Sequence, residues 1–360
     1  MRRSTVLGVV FIGGSLLGAG AFVLAPPAAV LGAGLTTTTV AFAPPETARI
    51  APVPSAVSSS STTTTTTARR PVVIHAVGDT NFDTDYIPNL AVHGFEYAFA
   101  GLGGLFESDD LTIINLECTA SNLGTPLPKE FTFRCDPASL PVARRSGVDV
   151  ANLANNHTQD FGTEAMLDAR ANVNRSGIRA VGVGLDLASA TSPTVVRVGE
   201  WRIAVLGMGG VVPAHGWLAT DDRAGMASGD DIDQMAAAVR AAAGVADFVA
   251  VSIHWMWELE TEPRPDDRER AEAMIAAGAD MIFGHHPHRL GDLEFIDGKP
   301  VFWTLGNFIW PRLSDVGATT AVARVVIHPD GTLEACLIPA FIESSGQPVL
   351  QAAPPCGEGL

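Results

Sequence analysis

Five short apolar runs in this chain end on, or run directly into, residues that can ligate a metal, and that pattern constrains the fold more than any other feature. Val72–Val77 leads to Asp79, Leu111–Leu116 to Glu117, and Val148–Leu153 to Asn155, Asn156 and His157. Phe248–Ile253 leads to His254, and Asp280–Phe283 to Gly284-His285-His286-Pro287-His288. Runs of this length, rich in Val and Ile, read as buried strands. Helical spacing over Gly162–Ser176, Asp231–Ala243 and Asp266–Ala277 separates several of them, with Gly177 placed to stop the first helix. Alternation of strand and helix implies parallel pairing, and ligand crevices in such sheets open at the carboxyl ends of the strands. Any one of these polar residues could be a turn former or a cap. Independent turn formers, however, would not be restricted to carboxylate, amide and imidazole.

After the histidine cluster the pattern changes. Leu293–Ile296 and Val301–Leu305 flank Asp297-Gly298, while Ala321–His328 and Leu333–Ile338 flank Pro329-Asp330-Gly331. Thr194–Val198 and Trp201–Gly207 form an earlier pair around Gly199-Glu200. These read as hairpins. The expected fold class is therefore α/β, layered, with mixed β-sheets flanked by helices.

The ends of the chain have another character. Arg2 and Arg3 precede a stretch without charge from Ser4 to Pro45, and Val6–Leu24 is almost wholly apolar. Residues 1–35 are expected to be a membrane anchor or a signal peptide, the latter with Ala19-Gly20-Ala21 as a small-residue cleavage site. Either places the body outside the cytoplasm, anchored to the membrane or secreted. Residues 36–70, rich in Ser, Thr and Pro, are expected to be a disordered tether. Residues 71–345 would be the folded domain and 346–360 a C-terminal tail.

The first 70 residues carry a formal charge of +4, which leaves −20 of the total −16 on the remainder. So acidic a body excludes general nucleic-acid binding. It would also repel an anionic substrate except where bound cations reverse the local field. Cys118, Cys135, Cys336 and Cys356 lack CxxC spacing. In an exported chain they are expected as disulfides, Cys118–Cys135 and Cys336–Cys356 being preferred over the two other connectivities.

Carboxylate, amide oxygen and imidazole together suit one or two divalent cations such as Mn, Zn or Fe(II). A carboxylate shared between two of them sets the spacing used for in-line displacement. A histidine outside the ligand set, for which His157 is placed, could protonate the leaving group.

At this point the residues resemble a known family, the CapA or poly-γ-glutamate capsule synthesis proteins, themselves similar to calcineurin-like metallophosphoesterases. The resemblance rests on Val77-Gly78-Asp79, Asn115-Leu116-Glu117, Lys129-Glu130-Phe131-Thr132-Phe133-Arg134, and Ala154-Asn155-Asn156-His157 with Asp160 and Gly162. It continues through His254-Trp255 with Glu258, Gly278-Ala279-Asp280, the histidine cluster, and Leu305-Gly306-Asn307-Phe308. It implies a metallophosphatase-like fold with Asp79, Glu117, Asn156, His254, His286 and His288 as metal ligands and His157 as proton donor. Glu117 takes the place of a bridging Asp. Asn81, Arg134, Asn155, Glu258, His285 and Asn307 are expected to support the site or touch substrate. Asn81 stands where phosphoesterases carry a second His, Met256 where Gly is common, and Arg289 where an apolar residue is common. The resemblance further implies a cell-surface role in making, exporting or retaining poly-γ-glutamate or a related polymer. The partners would be an anionic polymer or phosphoester substrate and a membrane capsule-synthesis complex. A metal-dependent hydrolase and a non-catalytic polymer scaffold are both compatible with it.

Overall fold

A computed structural model describes residues 69–352. The expected export segment, most of the tether and Cys356 lie outside the described residues. The strands, in chain order, are β1 (Val72–Thr80), β2 (Leu111–Leu116), β3 (Val148–Asn152), β4 (Arg179–Val181), β5 (Val183–Gly184), β6 (Thr194–Val198), β7 (Trp201–Gly209) and β8 (Gly225–Met226). They continue with β9 (Phe248–His254), β10 (Met281–His285), β11 (Leu293–Ile296), β12 (Lys299–Phe302), β13 (Asn307–Ile309), β14 (Thr319–Ile327), β15 (Leu333–Ser344) and β16 (Gln347–Leu350).

Two mixed sheets result. One runs β16-β15-β14-β1-β2-β3-β4, with β13 also paired to β1, and the other β11-β12-β10-β9-β7-β6. In the first, β1, β2, β3 and β4 are parallel neighbours, as β7, β9, β10 and β12 are in the second. The hairpins expected from Gly-containing turns are the antiparallel pairs β6–β7, β11–β12 and β14–β15.

The period-two alternation of each strand sorts its residues into layers. Val72, Ile74 and Ala76 of β1 join Ile203, Val205, Phe248, Ala250, Met281 and Phe283 in one core between the sheets. Val77, Ile114, Leu116 and Ala151 face the other way, into a core that includes Leu140 and Ala143 of the helix Ser139–Arg145 and Met166, Ala169 and Val173 of the helix Thr163–Arg175. On the far side of the second sheet, Val249, Val251 and Ile253 pack with Met235 and Val239 of Ile232–Ala243 and with Ala271 and Met274 of Pro265–Ala277. The architecture is helix, sheet, sheet, helix. Asp231 caps its helix through Gln234 N, so the boundary read from sequence has a physical basis.

Two boundaries move. Residues 347–350, given to the C-terminal tail, form β16 and pair antiparallel with β15. Arg70, given to the tether, makes a two-pronged contact with Asp110, at 2.5 and 2.9 Å. Arg69 lies 3.9 Å over the Trp201 ring. Composition, the ground for the tether boundary, carries no information about pairing. The disulfide Cys118–Cys135 is present, with the two Cα atoms 5.6 Å apart.

Close approach of backbones brings β13 into the site. A side chain at Gly78 would strike the carbonyl of Gly306 at 1.9 Å, so only glycine lets the segment before β13 lie against β1. The resulting parallel register sets Asn307 beside Asp79.

Candidate metal centre

Each expected ligand sits at the same end of the two sheets because parallel neighbours end together. Asp79 is the penultimate residue of β1, Glu117 follows β2, and Asn156 lies in the turn after β3. His254 ends β9, and His286 and His288 follow β10. Along β9, Ser252 and His254 continue the inward parity of Phe248 and Ala250. The polar centre is thus the rim of the inter-sheet core, where apolar packing stops.

Two groups of donors converge there. Glu117, His286 and His288 form one, and Asp79, Glu117 and His254 the other, with the donor atoms of each group within 4.8 Å of one another. Glu117 belongs to both. It is fully buried, and neither of its carboxylate oxygens receives a hydrogen bond. Burial and the charge of Asp79 push its carboxyl well above the ordinary range. A buried carboxylate with both oxygens unpaired is costly unless a cation balances it. The Nδ1 of His286 is also buried without a partner. Such a donor set fits divalent cations, with Glu117 between two positions.

The surrounding contacts fix ring orientations as metal sites require. His288 Nδ1 lies 2.8 Å from Asn307 Oδ1 and 3.1 Å from Asp79 Oδ2, which turns Nε2 toward Glu117 Oε1, 3.9 Å away. Burial pulls the His288 imidazole down, but the hydrogen bond and charge of Asp79, with Asn307, leave it above its ordinary value. Burial would raise Asp79, yet the contact with His288 and the charges of His288 and His254 hold it below the usual carboxylate range. Asn115 donates to Asp79 Oδ1 at 2.9 Å and stands 3.2 Å from His254 Nδ1. His254 Nε2 lies 2.9 Å from Asn156 Oδ1 and 3.7 Å from Glu117 Oε1. Burial and the nearby His286 keep His254 well below its ordinary pKa, and burial with His288 brings His286 to about 4. Both are therefore neutral at physiological pH, the form that binds metal. His286 and His288 adopt φ of 101° and 55°. Left-handed backbone at a non-glycine residue costs on the order of 1–3 kcal/mol and is characteristic of functional sites.

His157 also lines the cavity. Its Nδ1 is 2.6 Å from Asp160 Oδ2, and its Nε2 points toward Glu117 Oε1, 3.9 Å away. Burial lowers its pKa, and the Asp160 hydrogen bond opposes that shift. Asp160 also accepts from Phe133 N at 2.8 Å and pairs with Lys129 Nζ at 2.5 Å. Asp160 appears in the quoted motif but carries no role in the sequence reading. Its i+3 spacing from His157 was the available signal. Lys129 and the aromatic wall of Tyr86, Phe133 and Trp310 were likewise missed; the ring centres of Phe133 and His157 are 4.2 Å apart and those of Trp310 and His288 4.7 Å, each pair tilted.

The supporting residues divide. Asn307 and Glu258 line a cavity of about 480 Å³ together with Asn156, His157, His286 and His288. Asn155 is a strut behind it, donating to Leu116 O at 2.9 Å and accepting from His157 N at 3.0 Å. Asn81 is buried, accepts from Asp83 N, and leaves Nδ2 unpartnered. Two of the expected supporting residues stand away from the cavity. His285 points between the sheets to Ser252 Oγ, 2.9 Å away, because it keeps the inward parity of Met281 and Phe283. Arg134 spends its guanidinium on the carbonyls of Ser121 and Gly124 and on the Phe161 ring, and it does not line the cavity.

Residues 73–312 match the family model described as bacterial capsule synthesis protein PGA_cap. The chain is 31% identical over 222 residues to the capsule biosynthesis protein CapA of Bacillus anthracis, covering 59% of this chain and 53% of that one. It is 31% identical over 246 residues to the PGA biosynthesis protein CapA of Bacillus subtilis, covering 66% and 63%. A probable polyglutamine synthesis accessory protein of Mycobacterium tuberculosis is 33% identical over 211 residues, covering 56% and 55%. The chain thus spans less than two thirds of the length of these curated relatives. Among solved structures, the sulfate thiohydrolase SoxB of Thermus thermophilus aligns with a TM-score of 0.45 at 15% identity, over 74% of this chain and 56% of that one. A 5'-nucleotidase from Candida albicans aligns at 0.43 and 11%, over 74% and 51%.

Proposed function

The chain belongs to the bacterial capsule synthesis protein family PGA_cap, and from that membership we propose that it is an extracytoplasmic metal-dependent hydrolase. Its substrate would be an anionic polymer of the poly-γ-glutamate type, cut at a γ-glutamyl amide, or a phosphoester linked to that polymer's synthesis. The observation that carries the reading is Glu117, buried with both oxygens unpaired between two donor groups. A scaffold that only bound polymer at its surface would have no use for a buried carboxyl group that receives no hydrogen bond.

Asp79, Glu117, Asn156, His254, His286 and His288 would hold one or two divalent cations. When bound, these supply Lewis-acid polarisation of the scissile group and lower the pKa of water. The chain's own residues do the rest. His157 presents Nε2 to the cavity and, once protonated to the imidazolium that the Asp160 carboxylate favours, would deliver that proton to the departing oxygen or nitrogen. Asp160 fixes the ring through Nδ1, and Lys129 balances the Asp160 charge. Asn307 keeps His288 turned toward Glu117. Tyr86, Phe133 and Trp310 form an apolar wall that keeps water from the reacting groups.

The export reading of residues 1–35 places this site outside the cytoplasm. The Cys118–Cys135 disulfide supports that placement, since such bonds persist in oxidising compartments. Assay of the purified protein with added Mn or Zn against phosphoester and γ-glutamyl substrates tests the proposal. Metal-dependent turnover of either class is expected. A protein that binds metal and polymer yet turns over neither would be a scaffold.

A further inference from the structure

Two cations line the cavity, Lys129 and Arg289. Lys129 is committed, with Nζ on Asp160 and on the carbonyl of Asn156. Arg289 is not. It forms no ion pair with any described residue, and its guanidinium makes one hydrogen bond, from Nη1 to the carbonyl of His288 at 2.7 Å. A guanidinium carries five N–H donors, so most of them remain for something that enters the cavity.

The backbone that carries the group is held in place. The carbonyl of Arg289 accepts from Thr304 Oγ1 at 2.8 Å, and the next residue, Leu290, bridges to Leu305. The absence of a side chain at Gly317 makes room for it; a Cβ there would lie 3.3 Å from Nη1. A half-buried fork of donors bonded to the carbonyl of His288, in a chain of net charge −16, matches one ligand chemistry. Planar guanidinium binds carboxylate or phosphate oxygens bidentately, which a lysine cannot reproduce.

We propose that Arg289 determines specificity by binding an oxyanion of the substrate beside the scissile bond. This rests on the hydrolase reading above. The oxyanion is a carboxylate if the substrate is a γ-linked glutamyl chain and a phosphate if it is a phosphoester.

The test uses the full-length, Mn-loaded protein and calorimetric titration with two probes, inorganic phosphate and γ-glutamylglutamate. Arg289→Met removes the charge at similar length, Arg289→Lys keeps the charge without the fork, and Gly317→Ala crowds the guanidinium without altering it. Arg289→Met should weaken at least one probe by about 10–100-fold. Arg289→Lys and Gly317→Ala should fall between it and wild type, with metal content and melting temperature unchanged in all three. Loss confined to phosphate assigns the phosphoester, and loss confined to γ-glutamylglutamate assigns the carboxylate. Affinities within twofold of wild type for both probes, or a wild type that binds neither, would overturn the assignment. If binding depends on Arg289 but no substrate is turned over, the hydrolase reading fails and the anion site stands.

Discussion

The Nδ1 of His157 stands 2.6 Å from Oδ2 of Asp160, three residues on, with both groups buried. The pairing leaves Nε2 as the ring nitrogen free to meet substrate, so the ring proposed as proton donor is oriented before anything binds. His157→Ala should therefore retain its metal and lose about 10²–10⁴-fold in turnover. The loss should be smallest for substrates whose leaving group needs no proton. Elemental analysis beside steady-state rates checks this, and a variant that loses its metal would show His157 to be a ligand instead.

Asn307 holds His288 at 2.8 Å from a strand that the local sequence does not link to the histidine cluster. Outer contacts of this kind are worth about 10–100-fold in metal affinity. Asn307→Ala should show a loss in that range when Mn or Zn is titrated, while melting of the metal-free protein changes little. An unaltered affinity would mean that Asp79 alone orients the ring.

Most of the centre could be read from sequence because strand ends in parallel sheets converge, so residues far apart in the chain share one address. What could not be read was direction. Arg134 sits in a motif whose Lys129, Glu130, Phe131 and Phe133 line the cavity, yet its own guanidinium turns away to the carbonyls of Ser121 and Gly124. His285 neighbours His286 but keeps the inward parity of β10. The parallel pairing of β13 with β1 depends on a backbone approach at Gly78, which no hydrophobic period encodes. The same is true of β16, whose four residues look like tail until β15 is beside them.

Cys118 and Cys135 close a segment with a sequence separation of 17, and that segment carries Lys129, Phe131 and Phe133 to the cavity wall. Replacing both cysteines by Ala should cost about 2–4 kcal/mol in chemical denaturation. It should also raise KM more than it lowers kcat, since the wall loosens while the ligands stay. Equal denaturation midpoints would remove the bond from the account of stability.

Arg70 and Asp110 tie the start of the folded body to the loop before β2. Burial would raise the Asp110 carboxyl, but the Arg70 hydrogen bond, the Val73 N–H and the Arg70 charge bring it below its ordinary value. A depressed carboxylate stabilises the fold above the unfolded value, and that contribution disappears as pH falls through the folded one. Arg70→Ala should thus melt slightly lower at pH 7 and match wild type once the pH is well below about 4. A difference that persists in acid would point to lost packing rather than charge.

The central claim is that Glu117 lies between two cation positions. Its most direct test is the divalent metal content of wild type and Glu117→Gln after equilibration with Mn or Zn and removal of free ion. Wild type should retain metal, and Glu117→Gln, folded but without the negative charge between the positions, should lose at least one ion's worth. A wild type that retains no divalent metal, or a Glu117→Gln variant that retains as much as wild type, would contradict the account.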